Sequence, residues 1–247
     1  MAIPGCDLTP IPVAACLPTG EAPVFPFFPL ARVPVMPPTL DLARKLLALA
    51  QSGLHFTRDA YDKERYEEIS RIASELLAAE SAAVPGATSE VILDLWRQDK
   101  GYVTPKIEVR GAIFRENGGI SEILLVRETI DGKWTLPGGW VDVNEGPRQA
   151  IEKEIVQESG YIAEVVKLAA VYDKLRHDHP PSLFHTWKLF FLCEIRGGQP
   201  TPSLETDGIE FFALDSLPEL SMSRTTPAQI ARMHVHYCNR DLPTDVD

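Results

Sequence analysis

From Thr39 onward, apolar side chains recur at helical spacing. Leu40, Ala43, Leu46, Leu47 and Ala50 fall on one face, and Gly53 is placed to end the helix. A second helix is expected from about Tyr61 to Ala79, with Tyr66, Ile69, Ala73, Leu76 and Leu77 as its apolar stripe. Pro85-Gly86 then breaks the chain, and a third short helix carries Val91, Ile92, Leu95 and Trp96. Such stripes must be buried against each other, against the rest of the chain, or against a second copy of it.

At Gly101 the pattern changes. Residues 106–115 and 121–128 read as strands joined by Asn117-Gly118-Gly119, a hairpin signal. Asp131-Gly132 marks another turn, and Pro147–Ser159 reads as helix. Strands are expected over residues 161–171, over residues 184–195 (closed by Gly197-Gly198), and over residues 210–214. The last helix has Thr226 as N-cap, Pro227 at its first position and Gln229 completing a capping box. Strands interspersed with helices predict an α/β (α+β) domain over residues 101–240, preceded by a small helical domain over residues 39–100. Residues 241–247 read as a tail.

The first 38 residues hold ten of the chain's 21 prolines at irregular spacing. Proline removes backbone donors and restricts its neighbour, so residues 1–38 read as an extended leader without helix or paired strand. The formal net charge of −11 argues against duplex nucleic acid as a partner. A small anionic substrate stays compatible, because a bound metal reverses the local field. Cys6, Cys16, Cys193 and Cys238 form no C-x-x-C pair and read as free thiols of a reducing, cytoplasmic compartment. No apolar run approaches the roughly 20 residues of a membrane helix, and no secretory signal is recognisable.

The chemistry is concentrated between Leu136 and Gly160. Gly146-Pro147 is a helix start and Gly160 a helix end, so Glu154 and Glu158, four apart, project from one helical face. Carboxylates at that spacing repel, and a hard divalent cation between them removes the repulsion.

This block resembles the Nudix box, G-x5-E-x7-R-E-U-x-E-E-x-G-U, with U a bulky apolar residue. Gly139, Glu145, Glu154, Ile155, Glu158, Gly160 and Tyr161 fall on its fixed positions. Two positions depart: Lys153 stands for the box's Arg, and Gln157 for the first Glu of its pair. Lys keeps the charge without the planar fork, and Gln offers a neutral oxygen in place of an anionic ligand. The N-terminal helices, the run Gly101–Lys106 into Val109-Arg110, and Pro218–Ser221 are similar to the Nudix subgroup with a helical N-terminal domain.

The resemblance implies an α/β/α sandwich with a mixed sheet and hydrolysis of a nucleoside diphosphate linked to another moiety, such as ADP-ribose or CDP-choline. It also implies Mg²⁺ or Mn²⁺ on the box, with Glu154 and Glu158 as primary ligands. Gln157 would be a weakened ligand, and Glu145 would orient the loop or reach the metal through water. Gly138 and Gly139 would let backbone approach the ligand, and a homodimer would use the N-terminal helices.

Glu205 is a general base or a solvated loop carboxylate. Arg110, Arg127 and Lys133 are phosphate contacts or sheet-rim salt bridges. His177 and His179 read as a surface loop, His234 and His236 as surface residues, and Trp134, Trp140 and Trp187 as core packing. Two other functions stand beside the leading one: a nucleotide-binding sensor with a weakened site, and a nucleoside triphosphate sanitiser.

Overall fold

The computed structural model describes residues 38–80, 86–98 and 101–247. The leader, Cys6, Cys16 and Pro85 lie outside the described residues. Three helices come first: α1 (Pro38–Phe56), α2 (Ala60–Ala79) and α3 (Ser89–Arg97). Asp59 caps α2 by accepting from the N–H groups of Tyr61 and Asp62. Leu40, Ala43, Leu47, Ala73, Leu77 and Ile92 make the shared core of this bundle, and Leu183 of the following domain joins it. Arg44 docks the bundle on that domain: its guanidinium donates to the carbonyls of Ser182 and Leu183.

α1 does not stop at Gly53. A β-carbon there would overlap the Tyr66 ring of α2, so Gly53 is a point of close helix contact and the helix continues to Phe56.

The remaining strands are β1 (Lys106–Ala112), β2 (Phe114–Asn117), β3 (Ile120–Glu128), β4 (Trp134–Thr135), β5 (Tyr161–Asp173), β6 (Thr186–Gly198), β7 (Thr206–Ala213) and β8 (Asp245–Val246). They are accompanied by α4 (Pro147–Ser159), a short 3₁₀ turn (Lys174–Arg176) and α5 (Pro227–Cys238). One sheet runs β1-β6-β5-β8, with β1–β6 and β5–β8 parallel and β5–β6 antiparallel. In the other sheet, β3 pairs antiparallel with β2, β4 and β7. α4 packs Ala150, Ile151 and Ile155 against Val109, Ile113 and Phe191 of the first sheet. On the opposite face, Phe190 and Leu192 meet Ile123 and Leu125 of the second sheet and Ile230 and Met233 of α5. The expected mixed sheet between helices is therefore present.

Three boundaries differ from expectation. β6 runs through Gly197-Gly198 and pairs with the start of β5. The segment read as a tail closes the first sheet, because β8 pairs with β5. Asp245 of β8 meets Arg232 at 2.5 Å and His236 at 3.1 Å, which draws His236 out of solvent and into the interior. His179 is likewise buried: Nδ1 donates to the Met222 carbonyl at 2.7 Å, leaving Nε2 to accept from the Gln229 amide at 2.9 Å. Trp140 and Trp187 are about half exposed, so neither is core packing. No helix among the described residues is long and apolar enough to cross a membrane.

Candidate active site

α4 begins at Gly146-Pro147 and ends at Gly160, whose φ of 73° is the left-handed turn that terminates a helix. Its inner face presents Glu154, half-buried, and Glu158, only 4% exposed. The strand-to-helix loop is strapped along β1: Val109 N–H donates to the Gly139 carbonyl at 2.9 Å and Gly111 N–H to the Pro137 carbonyl at 2.8 Å. That strap presses the loop onto the carboxylates. Gly138 N–H donates to Glu158 at 2.7 Å, and a β-carbon on Gly139 would lie 3.0 Å from the Glu154 carboxylate. Gly138 has φ +141°, and a side chain there would run into the Val109 carbonyl.

Around Glu158 the charges are crowded. Burial, followed by repulsion from Glu128 and Glu154, pushes its pKa up to about 8 against the pull of Arg110 and the Gly138 N–H. Burial raises Glu154 as well, with Glu205 and Asp142 adding to the shift. Glu205 is exposed but held close. Thr206 donates its hydroxyl to the Glu158 carbonyl at 2.5 Å, and Thr129 N–H donates to the Glu205 carbonyl at 2.8 Å.

Lys153 bridges Glu145 at 2.8 Å and Asp142 at 2.9 Å. The box's basic position thus orients Glu145 and the loop, a task the ammonium performs without the Arg fork. Gln157 is exposed on α4, beside these groups in sequence.

The two arginines part ways. Arg110 is buried and donates to Glu108 and to the Leu136 carbonyl at 2.9 Å, so it positions the loop from inside and is not free to contact phosphate. Arg127 pairs with Asp207 at 2.7 Å on the sheet surface, and Lys133 with Glu219 at 2.7 Å. Both are rim salt bridges.

Sequence reasoning missed Glu108, Glu128, Lys174, Lys188 and Arg224. Glu128 is buried on β3 and paired with Arg224 at 3.0 Å, while Lys188 is fully buried and donates to Glu108 at 2.7 Å. The available signal was polar residues two apart in strands otherwise built of apolar ones, as Glu108 and Arg110 are in β1.

A crowd of partly desolvated carboxylates offering oxygen donors beside an open loop suits a hard divalent cation. Among the described residues no three such side chains already stand together as a metal cage. Mg²⁺ is commonly held by one or two carboxylates with retained water, so the donor set fits.

Residues 104–233 match the model of the NUDIX domain, more than half of the chain. The chain belongs to the Nudix family. Residues 37–91 of this Nudix hydrolase match a second model, the UDP-X-like N-terminal oligomerisation domain. The Bacillus subtilis (strain 168) protein named "Putative ADP-ribose pyrophosphatase YjhB" is 45% identical over 194 residues, covering 78% of this chain and 89% of that one. The crystal structure of a UDP-X diphosphatase superposes with a TM-score of 0.54 at 32% identity, covering 85% of this chain and 98% of the other. That of an ADP-ribose pyrophosphatase from Streptococcus suis 89-1591 gives a TM-score of 0.52 at 37% identity, covering 58% and 100%. Nudix hydrolases generally use divalent metal ions.

Proposed function

We propose that this Nudix hydrolase splits the diphosphate of a nucleoside diphosphate joined to a second moiety, releasing a nucleoside monophosphate and the phosphorylated moiety. ADP-ribose is the first candidate and UDP- or CDP-linked conjugates the next. The observation that carries this reading is the seating of Glu154 and Glu158 against the Gly138-Gly139 loop. The names of the relatives support the substrate class.

Glu154 and Glu158 would hold Mg²⁺ or Mn²⁺, with Gln157 contributing a neutral oxygen. Once bound, the ion neutralises charge on the diphosphate oxygens and lowers the pKa of the attacking water. Glu205 would take that water's proton. The water oxygen bonds to one phosphorus, the bond from that phosphorus to the bridging oxygen breaks, and the bridging oxygen leaves with the other phosphoryl group. Lys153 keeps Glu145 and Asp142 in place, and Arg110 holds the Leu136 carbonyl.

The N-terminal helices would build a homodimer, since Leu42, Leu49 and Phe56 of α1 present exposed apolar side chains. The free thiols Cys193 and Cys238 suit a cytoplasmic setting.

The test is a turnover screen of ADP-ribose, UDP- and CDP-conjugates, dinucleotides and nucleoside triphosphates with Mg²⁺ and Mn²⁺. Hydrolysis of diphosphate conjugates above triphosphates supports the reading. Metal-dependent binding without turnover of any of them would make the protein a sensor instead.

A further inference from the structure

At the end of the first sheet where β1 and β6 begin, three basic side chains crowd one buried carboxylate. Glu108 and Lys188 are register partners across the parallel β1–β6 pair, and Tyr172 is the partner of Lys188 on β5. Lys174 follows two residues after Tyr172, on the 3₁₀ turn. One oxygen of Glu108 accepts from Lys188 at 2.7 Å and from Arg110 at 2.6 Å. These two cations already outnumber the carboxylate.

Lys174 adds a third charge. It is half-buried, and its side chain makes no hydrogen bond or ion pair among the described residues. Burial lowers its pKa; Glu108 attracts it, while Arg110, Arg224 and Arg44 stand near enough to repel it. The other neighbours supply no counter-charge. Burial and Lys188 hold the pKa of His179 down to about 3, so that ring is neutral, and Arg224 is committed to Glu128 and Asp131.

A desolvated ammonium without an anionic partner is costly, and an anion entering the cleft removes that cost. The cluster also adjoins the carboxylate end of the site, because Arg110 lies between Glu108 on one side and Glu158 and Glu128 on the other. A polyanionic substrate spanning the cleft would meet acidic residues with their metal at one end and unneutralised basic residues at the other.

We propose that Lys174 is a binding residue for the substrate, its ammonium contacting an anionic phosphoryl oxygen of the nucleotide conjugate on the side of the cleft away from Glu154 and Glu158. This rests on the diphosphate-conjugate reading above. Lysine serves here as a point charge, a task that needs no bidentate geometry.

The test pairs kinetics with binding. Lys174→Met, Lys174→Gln and Lys174→Arg are compared with the parent for ADP-ribose hydrolysis. Calorimetry then measures inorganic pyrophosphate binding in chelator, where no turnover occurs. The expected result is a KM raised about tenfold in the Met and Gln variants with kcat within about threefold, and recovery in the Arg variant. Pyrophosphate binding should weaken about tenfold in the same two variants, and in the parent it should fall as salt rises.

A folded Met or Gln variant with parental KM and parental pyrophosphate affinity overturns the proposal, as does a parent that binds no pyrophosphate. Should ADP-ribose not be hydrolysed while pyrophosphate binding still depends on Lys174, the subsite stands and the substrate reading fails. Normal hydrolysis with no dependence on Lys174 removes the subsite and leaves the substrate reading standing.

Discussion

The backbone N–H of Gly138 donates to the Glu158 carboxylate at 2.7 Å, joining the glycine loop to the helix that follows it. A loop that carries its own donor to a buried carboxylate fixes that carboxylate before any ion arrives. Gly138 alone in this loop has a positive φ together with a wall of β1 backbone behind it. Gly138→Ala should therefore cost roughly 2 kcal/mol or more in stability and remove most activity. Urea unfolding and kcat on the same preparation check this. A stable, active variant would mean that the loop is not held against β1 as described.

The pKa of Glu158 sets a pH dependence whose sign is unusual for a carboxylate. Its folded value, about 8, lies above the unfolded value of about 4.3. Between those values the folded chain keeps a proton that the unfolded chain has released. Metal-free stability should therefore fall as pH rises from about 5 to about 8. In chelator the melting temperature should decline over that window, and excess Mg²⁺ should flatten the decline. Glu158→Gln should flatten it in chelator while lowering turnover by orders of magnitude. A parent melting temperature that rises with pH in chelator would contradict the burial of this carboxylate.

Much of this arrangement was legible in the sequence because it is local. Gly146-Pro147 and Gly160 bound α4 as expected, and Thr226 with Gln229 forms the expected capping box. The Glu154–Glu158 spacing followed from helical period, although the burial of Glu158 depends on the loop and on Thr206 of β7. What stayed illegible is non-local. Glu108, Lys188 and Arg110 share a site only because β1 and β6 lie in parallel register, and no spacing within either strand announces it. His236 reads as a surface residue until β8 returns beside β5 and brings Asp245 to it. Gly53 looks like a stop until Tyr66 of the neighbouring helix fills the space a side chain would take.

The buried pair at Glu108 should respond asymmetrically to mutation. Burial works to raise the Glu108 pKa, but Arg110 and Lys188 outweigh it and hold it at about 2. Burial lowers that of Lys188 to about 7. Glu108→Gln strands two desolvated cations and should cost about 3–5 kcal/mol. Lys188→Met leaves the Glu108–Arg110 pair intact and should cost clearly less. Denaturant unfolding of both variants at pH 7 ranks them, and equal losses would show that Lys188 is as tightly committed as Arg110.

Leu42, Leu49 and Phe56 lie seven residues apart along α1, close to two helical turns, and all are more than half exposed. If this stripe is the oligomer contact, Leu49→Asp should shift the particle toward monomer in light scattering without unfolding α1, whose core residues face the other way. An unchanged assembly in the Asp variant would place the contact elsewhere.

The departure at Gln157 offers the last test. Residue 157 is exposed on α4, three residues after Glu154 and next to Glu158. Gln157→Glu replaces a neutral oxygen with an anionic one at the mouth of the carboxylate cluster, which should raise affinity for Mg²⁺ and raise kcat at limiting metal. The same change adds repulsion in the metal-free protein. A carboxylate in solvent is screened, so that loss should stay under about 1 kcal/mol. The two effects have opposite signs and are separated by metal occupancy: relative to the parent, the variant should melt lower in chelator and higher in excess Mg²⁺. Melting curves of both proteins across a Mg²⁺ series decide it. Curves that stay parallel at every concentration would mean that residue 157 never faces the ion, leaving Glu154, Glu158 and the loop to hold it without that side chain.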